Sequence, residues 1–246
     1  MRSFFLVLLT ACATAHAPLR ILTYNIHAGK DSNGVPSLDR IAAVIRQSNA
    51  DIVLLQEVDR GTTRSGQIDE LAILMRFTGM YGQFGKSLDY QGGEYGIAVL
   101  SRWPIEAHEV VPLRVEPPQE RAGGSHEPRI ALVVTTHGLR ILNTHIDASG
   151  EDTYRIQEIP QVLAAAKGAI AGGDFNSTPD SAVHAKVMTA GYRDAWLECG
   201  KGNELTYPSI TPQKRIDYVF LHGGCSEARV IETEASDHRP LLVSVR

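Results

Sequence analysis

The sequence predicts an α/β fold built on a mixed sheet or sheets, and two observations carry that prediction. Short apolar runs of strand length alternate with segments of helical periodicity, and several of the strand-like runs follow one another directly, with no helix between them. From Leu19 to the end there is no repeat, low-complexity tract or linker, so residues 18–246 read as one domain.

The elements follow in order. "LRILTY" is a strand, and "SLDRIAAVIRQSN" a helix with Ser37 as expected N-cap and Leu38, Ile41, Ala42 and Ile45 on one face. "DIVLLQ" is a strand, and "DELAILMRFTG" a helix ending near Gly79. Strands recur at "GIAVLS", "RIALVVTT" and "LRILNT", with a Pro- and Gly-rich surface loop, "RVEPPQERAGGSHEP", before the second of them. A helix follows near "EDTYRIQEIPQVLAAAK", where Pro160 either kinks it or opens a new first turn. "AIAGG" leads to "DFN"; "STPD" is expected to cap the helix "SAVHAKVMTAG", and "RIDYVFL", "EARVIE" and "PLLVSV" are the last strands.

The N-terminus, "MRSFFLVLLTACATAHAPLR", has one arginine, an apolar run from Phe4 to Leu9 and then small residues, the order of a secretory leader over residues 1–17. The run is too short to span a bilayer. "LTAC" resembles the lipobox of bacterial lipoproteins, which would make Cys12 a lipidated membrane attachment. The alternative is cleavage after "AHA", which leaves a disfavoured proline, Pro18, next to the cut. Either way the expected location is outside the cytoplasm: periplasm, outer envelope or secreted. There Cys199 and Cys225 could form a disulfide or remain two buried thiols; neither has metal-ligand spacing. The formal charge of -4 lacks the basic bias of a non-specific nucleic-acid binder, although a local basic cleft is compatible with it.

Polar residues cluster at the strand ends. "RILTY" runs into Asn25, "DIVLLQ" into Glu57, "LRILNT" into His145 and "AIAGG" into Asp174 and Asn176. Asp217 opens "DYVFL", and Asp237 and His238 precede the last strand. Turns need polar residues, but not an acid, amide or imidazole at six separate strand ends, so these ends are expected to meet at one rim. Glu57, Asp174 and Asp237 with Asn25 and Asn176 form an oxygen-rich set suited to Mg²⁺, with Mn²⁺ or Ca²⁺ as alternatives. Two histidines beside such a site suit hydrolysis at phosphorus, and no GxSxG nucleophile signature is present.

"TYNIH", "LLQEVD", "YGIAVLSR", "LNTHID", "GGDFN", "RIDYVF" and "SDHRP" occur in the order and spacing of the endonuclease/exonuclease/phosphatase superfamily, the deoxyribonuclease-I-like proteins. The resemblance spans nearly all of the chain from Leu19. It implies a four-layered sandwich, two packed mixed β-sheets flanked by helices, with a divalent-metal phosphoesterase site at one end. On the matching positions it implies that Glu57 is the principal metal ligand, with Asn25 beside it and Asp237 a further metal or histidine contact. Asp174 would position or deprotonate water, and Asn176 would orient phosphate. His238 would be the catalytic histidine, with Asp217 fixing its tautomer. His145 would be an acid toward the leaving oxygen, with Glu94 as its carboxylate partner. Arg129 in "HEPRIAL" would contact phosphate, unless it is a solvated strand-edge arginine. His27 and Tyr95 are open between a site and a packing role, and the other histidines, His184 among them, read as surface or loop residues.

The expected function is a metal-dependent phosphodiesterase or phosphatase. Its substrate is a phosphoester, either a lipid or inositol phosphate or a nucleic acid; the latter would make it a secreted nuclease. Abasic-site repair is disfavoured, because that branch carries "LQETK" where this chain has "LQEVD". The reading from another class is a non-catalytic binding lipoprotein retaining the fold, against which the intact motif series argues. No obligate protein partner is evident.

Overall fold

Strands that are apolar on both faces must be covered on both faces, and this requirement produces four layers. The computed structural model describes residues 18–118 and 127–246. Residues 1–17, where a leader and a lipidated Cys12 are expected, and residues 119–126 of the Pro/Gly-rich loop lie outside the described residues.

The chain lays down β1 (Leu19–Asn25), α1 (Leu38–Ser48), β2 (Ile52–Arg60), α2 (Glu70–Thr78), β3 (Tyr81–Tyr90) and β4 (Gly93–Ser101). It continues with β5 (Ile105–Leu113), β6 (Arg129–Thr136), β7 (Leu139–His145), α3 (Arg155–Ala165), β8 (Ile170–Asp174) and α4 (Ala182–Thr189). Then come β9 (Arg193–Asp194), α5 (Ala195–Cys199), β10 (Asp217–Leu221), β11 (Cys225–Val230) and β12 (Leu241–Val245). One six-stranded sheet has the order β11-β12-β1-β2-β4-β3, the other β5-β6-β7-β8-β10-β9. Each is mixed: β1 runs parallel to β2, and β7 parallel to β8, while their other neighbours are antiparallel.

Alternation along β2 shows how the layers are made. Ile52 and Leu54 face the second sheet and pack with Ile130, Leu132 and Ile141. Val53 and Leu55 face outward, against Ile41, Ile45 and Leu74 of the helices. The second sheet repeats this, with Val133 and Leu142 packed on Ile159 and Val162 of α3 and Val183 and Val187 of α4.

Several local expectations need correction. Strands β3 and β5 were not foreseen: both are edge strands, largely half-buried or exposed, and β5 carries Pro112. An edge strand buries too little to show a clean apolar run and tolerates proline. Ser37 does not cap α1 with its side chain; its hydroxyl donates to Ala235 O at 2.7 Å, tying the helix start to the β11–β12 connection. Ser181, not "STPD", caps α4 by accepting from His184 N. Pro160 lies inside α3, which runs through it. His184 is buried and bonds Asp194 at 2.9 Å. Cys199 and Cys225 form a disulfide that ties α5 to β11.

The two glycines ahead of Asp174 are demanded by space. A Cβ on Gly172 would lie 2.7 Å from both Leu54 Cδ1 and Tyr218 O. Gly173 has φ +138° and would put a Cβ 1.9 Å from Thr144 O. Gly173→Ala is therefore expected to destabilise the fold by about 3 kcal/mol or more, through strained backbone and a clash that a β7–β8 pairing cannot relieve. Urea denaturation would measure it.

Candidate active site

Strand direction places the site. The C-terminal ends of parallel neighbours lie at one edge of a sheet, and an antiparallel neighbour brings its N-terminal end there. So β1 and β2 deliver Asn25 and Glu57, β7 and β8 deliver His145 and Asp174 in register, and β10 sets Asp217 opposite Asp174. Asp237 and His238 arrive on the turn before β12, which pairs with β1. These residues meet at an open cavity of about 840 Å³; Glu57, His145, Asp174, Asn176, Asp237, His238 and Arg129 line it.

Two of the side chains are aimed by unusual backbone. Glu57 has φ +55° in a β-bulge, where the β2–β4 register slips between Leu55 and Val58. Asn176 has φ +44°. Left-handed conformations of non-glycine residues are unfavourable by roughly 1–3 kcal/mol and persist only where the surroundings enforce them.

The amide of Asn25 joins the halves, donating to Glu57 Oε1 at 3.0 Å and Asp174 Oδ2 at 3.1 Å. Its oxygen accepts the backbone N–H of His27 at 3.1 Å, so Asn25 bridges carboxylates rather than turning its oxygen to the cavity. His238 Nδ1 meets Asp217 Oδ2 at 2.9 Å and its Nε2 lies 3.7 Å from Asp174 Oδ2. Asn176 donates to His145 Nε2 and to Ile146 O, each at 3.1 Å. Asp237 lies 3.8 Å from His27.

The two histidines are driven in opposite directions. Burial alone would lower the His238 pKa, but Asp217, through charge and hydrogen bond, with Asp174 and Asp237, outweighs it and pushes the group up to about 10. His145 falls well below its ordinary value through burial, then the positive charges of Arg129 and His238. In the ligand-free protein His238 therefore carries the proton and His145 does not, so the acid role expected of His145 conflicts with its surroundings. Asp174 is raised by burial and by its neighbour Asp217, and Asp237 by burial first.

Other expectations shift as well. Glu94 is not the partner of His145: it sits opposite Arg60 in the β2–β4 register, bonds Arg60 Nε at 2.7 Å and lies 3.5 Å from Lys86. The Nδ1 of His145 is buried without a partner. Arg129 is no solvated edge residue; it is 4% exposed, paired to Glu127 at 2.9 Å, and its Nε is unpartnered. Tyr95 is buried under Arg64 at the cavity wall. Glu127 escaped the sequence reading, although two residues apart on extended chain means one face. So did Tyr207, whose ring packs against His238 at 4.7 Å and which no pattern in the sequence marks.

A divalent cation fits this donor set. Glu57 and Asp237 present carboxylates to the cavity beside Asp174, and Asp217 Oδ1 is buried without a partner. Ligand atoms of Asp174, Asp217 and His238 also lie within 4.8 Å of one another. Of that trio, Asp217 and His238 are committed to each other as an ion pair, and a protonated imidazole is no ligand; the Glu57 side is the better cation site.

The description of the Endonuclease/Exonuclease/phosphatase family matches residues 22–238, and the chain belongs to that family. Uncharacterized protein YbhP of Escherichia coli (strain K12) is 25% identical over 254 residues, covering 94% of this chain and 98% of its own. Among solved structures, an endonuclease/exonuclease/phosphatase from Beutenbergia cavernae superposes with TM-score 0.77 at 23% identity, covering 94% of this chain and 72% of that one. A mannosyl-6-phosphatase of Bacteroides thetaiotaomicron superposes at 0.72 with 19% identity, over 92% of this chain and 98% of its own.

The Asp217–His238 pair has a pH signature. A histidine raised above its unfolded value stabilises the fold fully below pH 6.5, and that contribution is lost as pH rises through about 10. NMR titration of the metal-free protein is expected to show His238 protonated through pH 8. Asp217→Asn should bring its titration down by at least a unit; an unmoved titration would contradict the pairing.

Proposed function

We propose that the chain is an exported, divalent-metal-dependent phosphoester hydrolase. The observation that carries this reading is the meeting of Glu57, Asp174 and the Asp217–His238 pair around one Asn25 amide. A cation held by Glu57 and Asp237 would neutralise phosphoryl charge and polarise the P–O bond. Asp174, its pKa raised by burial, is suited to accept a proton from the attacking water near neutrality. Arg129 binds the charge of a phosphoryl oxygen, and Asn176 orients that oxygen once it exchanges its hydrogen bond to His145 Nε2 for one to the phosphoryl group. The protonated His238 stabilises charge as it builds, its orientation held by Asp217.

A phosphodiester of a lipid, an inositol phosphate or a nucleic acid is the leading substrate class. The monoester alternative draws support from the sugar-phosphatase neighbour and from the basic groups Arg129, Arg155 and Lys214 on the cavity wall. Export, with attachment through a lipidated Cys12, rests on the leader pattern; the Cys199–Cys225 disulfide suits such a compartment.

With bis(4-nitrophenyl) phosphate and Mg²⁺ or Mn²⁺, Asp174→Ala and His238→Ala should each lower kcat/KM by about 10²–10⁴-fold with the fold intact. Chelation by EDTA should abolish turnover of the wild type. Full activity in both variants would overturn the mechanism. Screening DNA, RNA, sphingomyelin, inositol phosphates and sugar phosphates would then separate the substrate classes.

A further inference from the structure

The segments "EVDRGTTRSGQIDE" (57–70) and "HIDASGEDTYRIQE" (145–158) have equal length and occupy equivalent places. Each spans the exit from a strand, starting at Glu57 inside the end of β2 or at His145, the last residue of β7; each strand has one parallel and one antiparallel neighbour, and each segment runs into the first turn of the next helix, α2 or α3. Each starts on a site residue and ends on a buried glutamate. Glu70 Oε2 accepts the backbone N–H of Asp59 at 2.8 Å, and Glu158 Oε2 accepts the backbone N–H of Asp147 at 2.8 Å.

The loops between are tied in parallel ways. Asp59 receives the Thr62 hydroxyl at 2.6 Å and the Arg64 guanidinium at 2.6 and 2.8 Å. Asp147 receives the N–H of Ser149 at 2.9 Å and its hydroxyl, while Arg155 Nη1 donates to the carbonyls of Asp147 and Ser149 at 3.1 and 2.6 Å. Glu70 is 1% exposed and Glu158 is fully buried, with Glu158 Oε1 unpartnered. An apolar side chain would fill either place without the desolvation that a carboxyl incurs. What the carboxyl adds is a fixed acceptor for one amide, two residues past a site side chain.

We propose that Glu70 and Glu158 are a matched pair of positioning residues, Glu70 holding the Glu57 bulge for the cation and Glu158 holding the His145 segment beside Arg129 for the phosphoryl group. This rests on the hydrolase reading above. Each acts through a backbone amide and touches neither substrate nor cation. Because the halves are tied separately, their loss has separable consequences. Glutamine offers the same acceptor, and burial already pushes both carboxyls up, to about 8 for Glu70 and about 7 for Glu158, so the neutral amide is a close substitute.

The test compares the wild type with E70A, E70Q, E158A and E158Q, recording thermal midpoint, Mn²⁺ affinity by calorimetry, and kinetics on bis(4-nitrophenyl) phosphate at saturating Mn²⁺. E70A should weaken Mn²⁺ about tenfold or more while its KM at saturating metal stays within about twofold. E158A should leave Mn²⁺ affinity within about twofold and lower kcat/KM about tenfold or more. Both glutamine variants should match the wild type. Equal effects of the two alanine changes on both quantities, or a change in thermal midpoint alone, would overturn the proposal. If an alanine variant fails to fold, E70D and E158D, which pull the acceptor back by one methylene, must show the same split in weaker form. A wild type that neither binds Mn²⁺ nor hydrolyses the diester defeats the hydrolase reading, and the pairing with it; a working wild type with no split defeats the pairing alone.

Discussion

Crowding of negative charge at one rim is the constraint on which the rest of the structure depends. Glu57, Asp174, Asp217 and Asp237 converge there, and unit charges 4 Å apart repel by about 4 kcal/mol at a protein-surface dielectric. The chain offsets part of this itself. Both amide hydrogens of Asn25 are given to Glu57 and Asp174, and His238 supplies a positive charge between Asp217 and Asp174. A single imidazolium against several acids leaves a demand for positive charge on the Glu57 side that a divalent cation would answer. His145 is kept neutral first by its burial and then by the same balance, since Arg129 and His238 already hold the positive charge around it.

The scaffold can sustain that rim because it is built twice. Reading each sheet from its outer edge, β3-β4-β2-β1-β12-β11 matches β5-β6-β7-β8-β10-β9, parallel pair for parallel pair. Asn25 and Glu57 on one sheet thus stand opposite Asp174 and His145 on the other. Directly beneath, Gln56 Nε2 donates to Asn143 Oδ1 at 2.7 Å, and Asn143 donates to Leu55 O and Ala98 O at 2.8 and 2.9 Å. This buried polar link fixes the separation of the sheets where the site needs it. Gln56 Oε1 is left without a partner, so the link is held by its donors alone, and an arrangement that broke these bonds would leave further polar groups bare.

Much of this was legible in the residues, for physical reasons. Apolar runs such as "DIVLLQ" must be covered on two faces, and an acid, amide or imidazole at strand end after strand end has no packing rationale; together they gave the α/β class and the convergent rim. The resemblance to a known family supplied the four-layered arrangement. What failed depended on partners distant in sequence. Glu94 looked free to serve His145 until the β2–β4 register set it against Arg60, a cross-strand ion pair. Ser37 had a cap's identity and position, but its hydroxyl was taken by Ala235, almost two hundred positions on. Edge strands β3 and β5 hid because half-exposed strands read like loops.

The charge balance makes a direct demand on protons. Burial makes Asp174 and Asp237 hold a proton more tightly than an ordinary aspartate, and a cation arriving at Glu57 and Asp237, beside Asp174, must displace part of what they hold. Calorimetric titration with Mn²⁺ at pH 7, repeated in two buffers of different ionisation enthalpy, reads that displacement. Binding with release of up to about one proton per ion is the expected result. Absence of binding, or binding with proton uptake, would contradict a cation site built on Glu57 and Asp237.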